Sequence, residues 1–405
     1  MLSGGGARGA YEAGIIKWIR HVVPRELGHH ANFRILTGTS VGAINACFLA
    51  ATAEDLDNQG QRMADAWGSL CIEDVISLRT KDLYRGLKIL LGRTPPKPEP
   101  GQFRYGGLLQ TRGLERFVFR MVPWRQIHRN VHAGLLDAIA LSATRVGTGH
   151  TVVFMDIGDE PPPPWSRNPF IRSVVTRIGP RHALASAAIP LLFPAVKIAG
   201  HFYTDGGLRQ NTPMSPAIRL GADRLLVISL KHISDAGLAQ RREQEQRERE
   251  AEAAYPRPLY IAGKALNALL LDHTEYDMDR MDRMNAILKA GRLAFGAEFE
   301  EILARELEKL RGAPLREVQA QLIRPSVDIG EISSSFIRNR RYRVTGRLAR
   351  RLFDRIADGE AAHESDLISY LLFDGLYAAE LVELGYKDAE ARREDLLGLF
   401  RETGD

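Results

Sequence analysis

Residues 33–52, FRILTGTSVGAINACFLAAT, carry the reading that decides the fold. Phe33-Arg34-Ile35-Leu36 is a short strand candidate, and 41–51 is an apolar helix candidate with Thr39 or Ser40 near its N-cap. Between them stands Gly38-Thr39-Ser40-Val41-Gly42, a G-x-S-x-G pattern. That pattern sets a serine on a sharp strand-to-helix turn, so that its hydroxyl projects above the sheet edge. The glycines two before and two after relieve crowding where the two elements approach. The helix N-terminus adds positive potential beside any developing oxyanion. A serine in an ordinary glycine-rich turn would spell the same five residues; the strand–turn–helix context favours a nucleophile.

Outward from this stretch, residues 1–230 alternate between strand and helix signals. Strand candidates lie at 151–157 and 171–177, and 225–230 (LLVISL) is fully apolar, as in a buried parallel sheet. Such alternation argues for an α/β fold. Prolines break the pattern at 93–100 and 161–164. Segment 81–91, KDLYRGLKILL, reads as a surface helix, with a lid or an interfacial helix as the alternative. Beyond residue 234 the composition shifts. Segment 238–254 is almost entirely charged or helix-forming, and the remainder is helical, including 366–384. Met278, Met281 and Met284 recur at three-residue spacing and read as core packing. The expected organisation is therefore a catalytic domain over 1–235 and a mainly helical region over 236–405.

Bulk properties exclude some classes. The 405 residues are 44% hydrophobic and 26% charged, a globular balance. The net charge of +5 suits an anionic membrane surface, and equally many proteins that never meet one. Two cysteines, Cys47 and Cys71, cannot build a disulfide framework or a cysteine-rich metal site, and Cys47 reads as a small buried hydrophobe. There is no basic-then-apolar leader and no run of roughly 18–20 apolar residues. A cytoplasmic location with peripheral lipid contact is expected, and no cofactor or metal.

The chain opens on Ser3-Gly4-Gly5-Gly6-Ala7-Arg8-Gly9. Such a run lets backbone N–H groups converge on a phosphate or an oxyanion. It lacks the Gly-Lys-Ser/Thr of a P-loop. Gly4, Gly6 and Gly9 fit G-x-G-x-x-G, but no suitable acid follows about 20 residues on, which argues against a dinucleotide site.

A serine nucleophile needs a base. None of the eleven histidines sits in a catalytic setting; His201 and His232, flanking late strands, come nearest. Tyr203-Thr204-Asp205-Gly206-Gly207 puts a carboxylate at a strand end, although Asp-Gly alone reads as a simple turn.

Three segments in order, SGGGARGAYEAG (3–14), GTSVGAINA (38–46) and IPLLFPAVKIAGHFYTDGGLRQNTPMSPAIRLGADRLLVISL (189–230), resemble the patatin-like phospholipases. The tail SDLISYLLFDGLYAAELVELGY (365–386) is similar to the C-terminal part of bacterial members. The resemblance implies a three-layer α/β/α sandwich with a mostly parallel central sheet. It also implies a Ser–Asp dyad without histidine. Ser40 would be the nucleophile and Asp205 the base, with the Gly4, Gly5 and Gly6 amides as oxyanion hole. Arg8 would order that loop and add positive charge. Burial against 191–193 and 196–198 is expected to raise the basicity of Asp205. The implied activity is hydrolysis of acyl esters of glycerophospholipids or related lipids. An acyltransferase on the same dyad is one alternative. A non-catalytic lipid-binding scaffold is another, docking through Arg338, Arg340, Arg341, Arg343, Arg347, Arg350 and Arg351. No nucleic-acid partner is expected, and self-association stays open. One departure stands out: only Met1-Leu2 precede the glycines where the family has a complete strand, which would leave the oxyanion loop less firmly anchored.

Overall fold

The computed structural model describes residues 1–75, 103–107, 109, 111–161, 165, 168–208, 214–233, 274–311, 316–342 and 365–401. The expectations for 81–91, 93–100, 162–164, 238–254 and Arg343, Arg347, Arg350 and Arg351 lie outside these residues.

Strands β1 (Ile35–Thr39), β2 (Arg104–Tyr105), β3 (Ala138–Arg145), β4 (Thr151–Asp156), β5 (Ile171–Val175), β6 (Ala195–Ile198) and β7 (His201–Asp205) form one sheet; β8 (Arg224–Ile228) pairs in parallel with β9 (Gln319–Ile323). The helices are α1 (Ala10–Leu27), α2 (Val41–Ala51), α3 (Leu56–Gly68), α4 (Ile72–Val75), α5 (Arg112–Met121), α6 (Trp124–His132), α7 (Pro180–Ser186), α8 (Met214–Arg219), α9 (Thr274–Phe295), α10 (Ala297–Arg311), α11 (Ile329–Arg338), α12 (Ser365–Leu371), α13 (Gly375–Ala391) and α14 (Arg393–Phe400).

The sheet is mixed. Parallel pairing joins β1 to β3 and β4 to β5, while β3 meets β4 and β7 antiparallel and β6 lies antiparallel between β2 and β7. Met1-Leu2 fill the gap between β1 and β8. Leu2 bridges Gly38 and Ile228 in parallel, its N–H donates to Thr37 O at 2.9 Å, and its carbonyl accepts from Thr39 N at 3.2 Å. The glycine loop is thus anchored on both sides by sheet hydrogen bonds, more firmly than so short a lead-in suggested.

Side chains alternate across a strand, and here both faces are covered. Ile139, Leu141 and Ala143 of β3 enter the main core, while Ala138 and Ala140 enter a second cluster behind the sheet. Leu226 and Ile228 of β8 face the main core; Leu225 and Val227 face the other way, against Met214 and Met281. Double burial explains why β8 reads as an apolar run. Helices α1, α2, α3, α5, α6 and α7 cover the main face together with α11–α14, and α8 and α9 lie behind. Met281 is buried and Met278 packs beside it, as the methionine spacing suggests, but Met284, the third of that spacing, is half-buried and outside this cluster.

Elements beyond residue 235 are built into these same layers. β9 extends β8, α13 packs along α1, and Tyr11 Oη donates to Asp388 Oδ2 at 2.9 Å. The helix expected over 366–384 is two helices, α12 and α13, separated at 372–374. Asp374, fully buried, caps α13 by accepting from Leu376 N at 2.8 Å, which stops the first helix and starts the second. Among the described residues, no helix is long and apolar enough to cross a membrane.

Candidate active site

The elbow follows from local sterics. Ser40 joins β1 to α2 with φ 55° and ψ −124°, a region that costs a residue with a side chain about 1–3 kcal/mol. It is held there by its neighbours. A Cβ on Gly38 would stand 2.3 Å from Gly42 O, and one on Gly42 would stand 2.3 Å from Leu2 O. The two glycines let strand, helix and lead-in meet backbone to backbone. Ser40 N donates to Ser186 Oγ at 2.9 Å, and Ser186 Oγ donates to Ser142 O at 2.6 Å, so α7 and β3 both grip the turn.

Asp205 arrives from 165 residues further along the chain. β3 is long enough to pair with β1 through Ser142, opposite Thr39, and then with β7, where Ala143 lies opposite Asp205. The last residue of β7 is thereby set beside the residue that follows β1. Ser40 Oγ donates to Asp205 Oδ2 at 2.6 Å, and Gly207 N donates to Oδ1 at 2.8 Å. The Asp-Gly-Gly stretch is a 3-10 turn after β7 and not a hairpin. Both partners are buried: Ser40 is 4% exposed and Asp205 0%. Burial pushes the Asp205 carboxyl up to about 7, although the Ser40 and Gly207 hydrogen bonds pull the other way. That burial does not come from Leu191, which was expected to shield it; Leu191 is 76% exposed. The sheet interior closes over Asp205, whose N–H donates to Ala188 O at 2.9 Å.

The glycine loop runs from the sheet into a 3-10 turn, Gly6–Gly9, and then α1. Gly6 has φ +57°, and a Cβ there would meet Tyr370 O at 2.2 Å. Arg8, 7% exposed, sends Nε to Ser369 Oγ at 2.8 Å and lays its guanidinium 4.3 Å from the Tyr370 ring centre. The side chain thus ties the loop to α12. Glu12, which no sequence signal marks as functional, is fully buried. Its Oε1 accepts from Ser3 N at 2.8 Å and its Oε2 from Asn45 Nδ2 at 2.7 Å. Burial pushes this carboxyl up to about 8, against the pull of its donors. Asn45 also donates to Gly9 O and accepts from Trp67 Nε1, so one polar network joins the loop, α1, α2 and α3. Ser186 and Glu12 carry no motif; a polar residue in an otherwise small or apolar run was their only signal.

Ser40 opens on a pocket that is otherwise apolar, with Gly6, Leu114, Ile189, Phe193 and Phe373 among its lining. Among the described residues, neither Ser40 nor Asp205 hydrogen-bonds a histidine. His201 is exposed and takes a hydrogen bond from Arg145, while His232 Nδ1 donates to Pro325 O at 2.9 Å. Cys47 is fully buried in the main core.

No curated protein matches the chain. Among solved structures, the crystal structure of VipD from Legionella pneumophila aligns over 94% of this chain and 90% of its own, with 14% identity and a TM-score of 0.27, values at which two folds correspond only loosely. The family model described as patatin-like phospholipase matches residues 1–218, more than half of the 405. The elbow, the buried carboxylate and the glycine loop all begin within that span, and the chain belongs to the patatin-like phospholipases, a family of lipid acyl hydrolases.

Proposed function

We propose that the chain is a phospholipase A or related esterase that cleaves acyl esters of glycerophospholipids through a Ser40–Asp205 dyad. The observation that carries this reading is the 2.6 Å hydrogen bond from Ser40 Oγ to a carboxylate that burial has made a better base. Ser40 Oγ attacks the ester carbonyl carbon while its proton passes to Asp205. Negative charge develops on the carbonyl oxygen, where the Gly4, Gly5 and Gly6 amides and the α2 N-terminus stabilise it; each such donor is typically worth about 3–4 kcal/mol. The ester C–O bond breaks, and the leaving alcohol takes the proton from Asp205. Water then attacks the acyl-enzyme, giving its proton to Asp205, and the free fatty acid leaves as Ser40 is reprotonated. The space beside Ser40 is small and its lining is apolar, the chemistry that an acyl chain needs. Substrate would be drawn from a membrane surface by peripheral contact.

A fluorophosphonate probe and product profiling test this together. Wild type should label at Ser40 and release fatty acid and lysophospholipid from phospholipid vesicles; Ser40→Ala should do neither. Folded wild type that neither labels nor hydrolyses with lipid present would sink the reading.

A further inference from the structure

The pocket beside Ser40 is completed by a residue far outside the family-matched span. Phe373 lies in the break between α12 and α13, is 5% exposed, and lines the pocket together with Ser40 and Gly6. Its ring stacks on Trp67, with centroids 6.5 Å apart and planes within 10°. Trp67 also meets Phe117 edge-on, with centroids 6.5 Å apart. Three aromatic rings from three distant segments thus form one wall of the pocket.

The wall is braced. Trp67 is held by its Nε1–H to Asn45 Oδ1 at 3.2 Å. Phe373 N donates to Leu371 O, and Gly375 N donates to Leu70 O at 2.7 Å. A Cβ on Gly375 would meet Gly68 O at 2.0 Å, so the segment after Phe373 is clamped directly onto the residues that follow Trp67. A close-packed interior resists displacement by even one methylene.

We infer that Phe373 is a specificity-determining residue for acyl-chain length: its braced ring bounds the small apolar space beside Ser40 into which the chain attached there must fit. This rests on the Ser40–Asp205 reading. Removing the ring lengthens the pocket and enlarging it shortens the pocket, so opposite changes in size shift preference in opposite directions. A merely structural Phe373 has no such bidirectional effect.

The test uses the full chain and a series of p-nitrophenyl esters from acetate to palmitate, with kcat/KM normalised to the fraction of protein labelled by fluorophosphonate. Phe373→Ala is expected to raise the ratio of long-chain to short-chain kcat/KM by about tenfold or more, the scale of discrimination that a methylene or two exerts in an apolar pocket. Phe373→Trp is expected to lower that ratio and move the optimum to shorter esters. Should Phe373→Ala fold poorly, Phe373→Leu and Phe373→Trp still give the two directions. Variants that hydrolyse with an unchanged chain-length profile, or with a uniform loss across the series, overturn the inference and leave the dyad standing. A wild type that neither labels nor cleaves any ester overturns both.

Discussion

Ser40 Oγ lies 2.6 Å from Asp205 Oδ2 across 165 residues of sequence. β3 causes this contact by pairing first with the strand that leads into Ser40 and then with the strand that ends at Asp205. The oxygen pair stands in the sheet interior, where a carboxylate is poorly solvated and therefore basic.

Replacing the base tests its role directly. Asp205→Asn should lower ester hydrolysis by about 10²–10⁴-fold, as for loss of a general base, with the fold intact by circular dichroism. His201→Ala and His232→Ala should stay near wild type, because neither ring reaches the pair. Near-normal Asp205→Asn alongside a dead histidine variant would reverse the assignment.

The pH dependence follows from the same burial. Asp205 must be ionised to take a proton, so kcat/KM should rise with pH and level off above about 7. Stability should run the other way. The native carboxyl holds its proton up to about 7, while the unfolded one loses it near 3.8. Over that window the native state binds more protons, and stability falls as pH rises. Asp205→Asn removes this penalty, so it should be more stable than wild type at pH 8 by a few kcal/mol, at about 1.4 kcal/mol per pKa unit, and near neutral at pH 4. Denaturant melts at the two pH values measure the difference.

The elbow glycines have no room to change. A Cβ on Gly42 stands 2.3 Å from Leu2 O, a backbone atom that the sheet holds in place. Gly42→Ala should cost about 3 kcal/mol or more by overpacking and abolish fluorophosphonate labelling, whereas Gly68→Ala, where a Cβ meets nothing within 4 Å, should label normally. Urea unfolding and probe labelling read both.

Glu12 should prove to position the glycine loop. Glu12→Ala removes the acceptor of Ser3 N and one of the two acceptors of Asn45 Nδ2, at about 1–3 kcal/mol for each buried donor bond lost. kcat should drop more than KM rises, because in the proposed mechanism the amides beside Ser3 serve the transition state. Glu12→Gln keeps an oxygen for Ser3 N and should recover part of kcat. Equal kcat in the alanine and glutamine variants would deny the role.

Legibility in the sequence divides along the same lines. Val41–Ala51 and the turn before it were readable because strand, elbow and helix are contiguous, and their steric demands fall on five adjacent residues. The 225–230 run was readable as a doubly buried strand, since burial on both faces demands unbroken apolar residues. Residues 366–384 read as one helix because apolar periodicity runs through the break; the Asp374 cap is visible only once α13 is placed.

What the sequence determined by itself was the elbow that carries Ser40, the α/β class and the family, all written in short runs whose backbone geometry admits few alternatives. Tertiary structure decided the rest. Asp205 is a turn residue until β7 lies along β3, and it fits the proposed role of base only once the sheet excludes water from it. Ser186 and Phe373 acquire their places beside Ser40, and Glu12 its place against the glycine loop, through packing between elements up to 333 residues from Ser40, a relation that no local pattern encodes because close packing depends on which surfaces meet and not on which residues are neighbours in the chain.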